Sequence, residues 1–208
     1  PTKWTGASSA GTSKWGIASP QFTSTSAGPR DPGTVTDGGV TWVPTGTLLT
    51  DIQSSNNVYA TTTVLNNAVS SDLKTSNYLF SAVPIPTTAT ILGIKVEIER
   101  KTDAGVGTSV VNELVRITIS GWTAGTVKTT SMRNQEAEAY ITFGGPTDLW
   151  GSYPFTPADI NSLGFGTTIQ YQNTGGATEI ISVDHVRMTV YYSVPAIVVA
   201  AGAAGTIT

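Results

Sequence analysis

Between Val58 and Tyr192 the chain alternates short runs of apolar and β-branched residues with Gly-, Pro- and Asn-containing breaks, the pattern of strands joined by turns. The clearest run is Thr90 to Arg100. Leu92, Ile94, Val96 and Ile98 share one parity, and Lys95, Glu97 and Glu99 the other. Side chains alternate across a strand, so this segment predicts a sheet with one face in the core and one in water. Val111 to Ser120 repeats the pattern, with Val115, Ile117 and Ile119 inward and Arg116 and Thr118 outward. Further strands are expected at 58–65, 78–83, 126–132, 137–143 and around Phe165, Ile169 and Tyr171. One short helix is expected at 157–162. Thr156 is placed to cap it, Pro157 suits its first position, and Asp159 puts negative charge in its first turn.

The last strand, Ile180 to Tyr192, changes parity within itself. Ile181 and Val183 fall on one face, whereas Val186, Met188, Val190 and Tyr192 fall on it only if one residue is skipped. A one-residue slip reverses every side chain, so a β-bulge at Asp184-His185 is predicted. The fold class that follows is all-β, an antiparallel β-sandwich or jelly-roll-like core over 51–193. An extended N-terminal arm, 1–50, precedes it, and a short apolar tail, 194–208, follows.

The arm is punctuated by Gly, Ser, Thr and Pro but carries Trp4, Trp15, Phe22 and Trp42. Aromatics are scarce in disordered linkers. Two readings follow: a strap whose aromatics anchor it on a partner, or a segment packed on its own domain. Asp37-Gly38-Gly39 between Thr/Val-rich flanks predicts a small hairpin near 34–43. If the arm is a strap, deleting 1–50 leaves the core folded. The tail contains Ile197, Val198 and Val199, residues suited to adding a strand to a neighbour's open edge; the alternative is a frayed end.

Composition narrows the chemistry. Of 208 residues, 12% are charged and the net charge is −3, with no Lys/Arg cluster, which argues against a nucleic-acid partner. There is no cysteine, which excludes disulfides and thiolate sites. The N-terminus lacks the apolar core of a signal peptide, and no apolar run is long enough to span a bilayer, so cytoplasmic synthesis and no membrane partner are expected. The single histidine, His185, excludes His-pair metal sites, and no G-x-S-x-G elbow surrounds any serine. No pair stands out among Glu97, Glu99, Glu113, Glu136, Glu138, Asp148 and Asp159 for glycosidase chemistry. Asp31, Asp37, Asp103 and Asp148 lie in loops where calcium could be held, but no calcium-loop motif is present. No catalytic residue, cofactor or metal ligand is therefore assigned. Trp122, Trp150 and Tyr153, with Asp148 and Asn161, could form a sugar-stacking platform; alternatively Trp150 plugs one end of the sandwich.

Several stretches resemble structural proteins of tailed bacteriophages and prophages. They are Asp37-Gly38-Gly39-Val40-Thr41-Trp42, Tyr78-Leu79-Phe80-Ser81, Ile85-Pro86 with Ala89 to Val96, Gly144 to Gly151, Asp159-Ile160-Asn161 with Phe165-Gly166, and Val183 to Val186 with Val190-Tyr191-Tyr192. The resemblance spans most of 37–192 and contains no catalytic signature. It implies a non-enzymatic virion component, of capsid-decoration, head-fibre, neck or tail type. Such a protein would assemble with itself and with other virion proteins such as major capsid or tail proteins. The competing expectation is a carbohydrate-binding, host-recognition module.

Overall fold

The computed structural model describes residues 21–39, 41–45, 49–103, 109–133 and 136–196. Eleven strands occur among them: β1 (Phe22–Arg30), β2 (Thr34–Asp37), β3 (Trp42–Pro44), β4 (Ala60–Val64), β5 (Leu73–Ser76), β6 (Thr90–Asp103), β7 (Val110–Ile119), β8 (Trp122–Arg133), β9 (Ala139–Gly144), β10 (Phe165–Asn173) and β11 (Glu179–Pro195). They form two antiparallel sheets. One is ordered β3-β4-β11-β6-β9, with β1 also on β11, and the other β2-β5-β10-β7-β8. Their inner faces meet in one core, a β-sandwich. Among the described residues no helix is long and apolar enough to cross a membrane.

β11 is the spine. β6 pairs with it along one edge from Thr90 to Asp103, while β4 takes Glu179 to Val183 and β1 takes Met188 to Pro195 on the other. The expected bulge is present: Val183 opposes Arg100 and His185 opposes Glu99, leaving Asp184 as the extra residue. Ile181 and Val183 before it, and Val186, Met188 and Val190 after it, therefore all reach the core. A second register shift, at Tyr191/Tyr192, corrects the β6 reading. It buries Ile91 and turns Leu92 outward, into a cleft of about 400 Å³ shared with Ser24, Thr25, Ser26, Pro146, Thr147 and Tyr191.

The N-terminal boundary is also corrected. Residues 22–44 are not an arm, because β1 and β3 belong to one sheet and β2 to the other. The hairpin expected at 34–43 does not form; β2 pairs with β5 and β3 with β4, so the Asp-Gly-Gly turn carries the chain between sheets. Asp37 holds that corner. Its carboxylate accepts hydrogen bonds from Gly39 N–H (2.8 Å), Trp42 N–H (2.9 Å) and Ser71 Oγ (2.5 Å). Trp42 is 5% exposed, donates its indole N–H to Ser71 O, and lies 5.9 Å from the Tyr171 ring. It is an anchor of the protein's own core. Phe22 is exposed at the start of β1. Trp4, Trp15, Ile197, Val198 and Val199 lie outside the described residues. The strand expected at 78–83 is displaced to β5, since Asn77 and Leu79 have φ of 58° and 56°, which a strand does not accommodate. The helix is α1 (Pro157–Ile160), closed by reciprocal Thr156–Asp159 capping bonds.

The core contains an ion pair that the strand parities imply. Arg100 follows Ile98 on the inward face of β6, and Glu113 precedes Val115 on that of β7. Arg100 Nε donates to Glu113 Oε2 at 3.2 Å, and Tyr171 O–H to Glu113 Oε1 at 2.8 Å; Arg100 also binds Glu136. Burial pushes the Glu113 pKa up, against the opposing pull of Arg100 and Tyr171.

Trp150 closes one end. It is fully buried, its indole N–H donates to Ile94 O at 2.9 Å, and its carbonyl accepts from Thr126 N–H. A β-carbon on Gly144 would lie 2.7 Å from the indole nitrogen and 2.1 Å from Ile94 O, so only glycine lets the ring seat there.

Three outcomes are expected. Deleting residues 1–50 removes three paired strands and a core tryptophan, so the remainder should show no cooperative melting transition by circular dichroism. Trp150→Ala should lower stability in urea denaturation by about 3–5 kcal/mol, the usual cost of emptying a buried tryptophan site. Arg100→Met should cost about 3–5 kcal/mol by leaving Glu113 buried without its cation, and the double variant with Glu113→Leu should recover much of that loss in the same assay.

Candidate functional site

Two regions outside the core concentrate unusual side chains. The first is the end of the sandwich built from the 77–89 connection, the 120–121 turn and the 145–164 connection. Backbone bonds tie these loops together: Asn77 N–H donates to Leu163 O (3.0 Å) and Ser120 N–H to Gly164 O (2.8 Å). Asn161 bonds the Ile85 backbone in both directions, at 2.9 and 3.0 Å. These loops and the start of β8 present Leu79, Val83, Trp122, Tyr153 and Leu163 to solvent, with Trp122 81% exposed. Trp122 stands directly after a hairpin turn in which Ser120 and Gly121 both have positive φ, the geometry that matches strand twist. Tyr153 packs against Phe155 at 4.8 Å between ring centres, and Phe155 in turn meets Phe165. The opposite end is apolar too, with Leu65, Val69, Val110 and Ile180 exposed.

The structure divides the residues expected to form a sugar platform. Trp122 and Tyr153 are accessible. Trp150 is the plug, and Asp148 serves it, accepting Trp150 N–H at 2.8 Å and pairing with Lys128 Nζ at 2.6 Å. Lys128 also lies 5.2 Å from the Trp150 ring centre. Partial burial acts to raise the Asp148 pKa, but the Lys128 and Trp150 N–H bonds outweigh it and hold the carboxyl below its ordinary value. Asn161 is likewise committed to the backbone of Ile85. The five-residue platform is thus reduced to two aromatics.

The second region is the outer face of the six-stranded sheet, where sequence parity predicts a solvated row. It is a packed polar layer instead. Glu97 is nearly buried and receives Arg187 through two bonds of 3.2 Å, with Lys95 3.0 Å away. Arg187 lies 4.1 Å from the Tyr140 ring centre. His185 Nδ1 shares a 2.7 Å hydrogen bond with Tyr140 O–H, and its Nε2 lies 2.9 Å from Asp31. Both ring nitrogens are thereby engaged in tethering β11 to β9 and to the β1–β2 connection. One carboxylate oxygen each from Glu99, Glu138 and Asp184 lies within 4.8 Å of the others. Glu99 comes from β6, Glu138 from the segment leading into β9, and Asp184 from the bulge.

The loop acids expected to be available for calcium are used separately. Asp31 faces His185, Asp37 holds the sheet-crossing corner, and Asp148 holds Trp150; the Asp103 side chain is outside the described set. The sequence signal for Glu99 and Asp184 was the bulge itself, which turns Asp184 and His185 to the side on which Glu99 stands. For Glu138 no local signal exists.

No protein-family model and no curated protein matches the sequence. Among solved structures, the chain is similar to TmCBM61 in complex with β-1,4-galactotriose, at 8% identity and a TM-score of 0.38, over 74% of this chain and 86% of that one. A family 11 carbohydrate-binding module of Clostridium thermocellum aligns at 11% identity and a TM-score of 0.31, over 84% and 88%. The enzymatically active domain of bacteriophage CBA120 tailspike protein 4 aligns at 10% identity and a TM-score of 0.36, over 80% of this chain but 19% of that one. At these similarities no functional residue is carried across.

Proposed function

We propose that the chain is a non-enzymatic virion structural protein of the tailed-phage kind, a rigid sandwich that docks end-on with copies of itself and with other virion proteins. The observation that carries this reading is where the exposed apolar side chains lie. Among the described residues most of them lie on or beside the connections at the two ends, Val43 on edge strand β3 and Val127 within β8 being set apart, while the centre of the outer face of the six-stranded sheet carries charged and hydroxyl groups, many in mutual bonds. Exposed apolar surface on well-fixed loops marks an interaction site. The loops at the Trp122 end are pinned to one another by the backbone bonds described above, so docking there freezes little additional chain. On this reading the docking surface lies at the loop ends and not around Trp42, which is buried in the core.

A carbohydrate-binding role is the second reading. Trp122 and Tyr153, the two accessible aromatics at one end, favour it, since sugar rings stack on exposed aromatic faces. The aliphatic neighbours Leu79, Val83 and Leu163 suit a protein surface better.

The discriminating experiment is light scattering of the full-length protein after size exclusion, on wild type and on the double variant Val83→Asp, Leu163→Asp. Wild type is expected to form a defined oligomer. The variant is expected to shift to monomer with an unchanged melting temperature. A wild-type monomer that binds a glycan array, with binding lost in Trp122→Ala and the fold intact, would replace docking with the carbohydrate reading.

A further inference from the structure

We propose that Glu99, Glu138 and Asp184 form a calcium-binding site on the outer face of the six-stranded sheet. The size of the cluster is the first argument. Calcium–oxygen distances are about 2.3–2.6 Å, so ligand oxygens on opposite sides of one ion stand roughly 4.6–5.2 Å apart. An oxygen from each of the three carboxylates lies within 4.8 Å of the other two, the span of one calcium shell.

The second argument is independent of that spacing. Glu99 Oε2 and Glu138 Oε1 are closed off from solvent and accept no hydrogen bond. Buried carboxylate oxygens are ordinarily paired, because taking a charge out of water without a partner is costly. Asp184 is 1% exposed, and both its oxygens face the same Asn56 N–H at 3.2 and 3.3 Å, a weak share for a buried carboxylate. Nearby cations are bonded elsewhere: Arg187 is held by Glu97 and acts on Glu99 only through space, and the Lys101 ammonium sits 4.0 Å from the Tyr59 ring centre. Tyr59 O–H donates to Glu138 Oε2 at 3.0 Å, which leaves Oε1 free, and Glu99 also faces the Tyr140 hydroxyl. Three carboxylates brought together in this way call for a cation.

The donor chemistry selects the ion. Both nitrogens of His185 are engaged by Tyr140 and Asp31, so the set is oxygen-only, which suits a hard cation and disfavours zinc or copper. Magnesium demands a tighter octahedron, at about 2.0–2.1 Å, and retains its waters more strongly. The ion would join β6, the segment entering β9 and the β11 bulge, and through Asn56 the 49–57 segment packed beside it. Because these segments are distant in sequence, the site exists only in the folded chain and binding stabilises the fold.

The test uses the full chain, stripped with EDTA and dialysed, with calcium chloride alone as ligand. Calorimetry should show saturable binding of one ion. The melting temperature should rise by roughly 5–10 °C at about a hundred times the dissociation constant. Asp184→Asn and Glu138→Gln should each weaken binding by about tenfold or more, with calcium-free melting temperatures no lower than wild type. Asp72→Asn, a carboxylate outside the cluster that lies 3.8 Å from Lys74, should bind as wild type does. If Asp184→Asn does not fold, Glu138→Gln, which is more exposed, decides the question. Absence of calcium-dependent heat and melting shift in wild type would overturn the proposal. Undiminished binding in the folded variants would overturn it as well.

Discussion

The pairing of β11 with β6, interrupted by one extra residue at Asp184, is the constraint on which the rest of the structure depends. A strand's side chains have a period of two, so without that residue half of β11 would show its apolar row to water. With it, Ile181, Val183, Val186, Met188 and Val190 face inward along one continuous seam. The same extra residue turns Asp184 and His185 together onto the outer face, beside Glu99. Core continuity and the outer polar cluster are thus two consequences of one backbone irregularity.

Strand β11 also organises its surroundings through the gap on its free edge. β4 leaves it at Val183 and β1 begins at Met188, so the residues between are served by neither strand. The 49–57 segment occupies this position: Ile52 is buried in the core and Asn56 N–H faces the Asp184 carboxylate. The tether of His185 to Asp31 and Tyr140 lies in the same stretch. The bonds at the gap are made by side chains of β11, so this stretch is held to its neighbours by the Asp184 carboxylate and the His185 ring.

The docking and calcium proposals concern different parts of the molecule and stand apart physically. The loop ends offer apolar side chains on a framework fixed by backbone bonds. The outer face of the six-stranded sheet offers charge engaged mostly within the protein, apart from the unpaired oxygens of Glu99 and Glu138, which suits a stabilising role more than recognition. On the docking proposal, each contact at the loop ends is small and many copies would act together.

Sequence by itself determined the sandwich class, most of the strands, the α1 cap and the bulge, because all of these follow from local alternation and capping chemistry. It also contained the inward parity of Arg100 and Glu113, since each continues an apolar row. Only the tertiary structure decided the rest. Asp37-Gly38-Gly39 carries a hairpin's turn chemistry, yet β5 and β4 supply separate partners for its two flanks, and partner choice is a non-local property. Trp42 and Trp150 carry the same side chain as Trp122. Their burial against Tyr171 and Ile94, and the exposure of Trp122, depend on which segments pack over them. The Glu99, Glu138 and Asp184 cluster joins three segments remote in sequence, so no local pattern could have specified it.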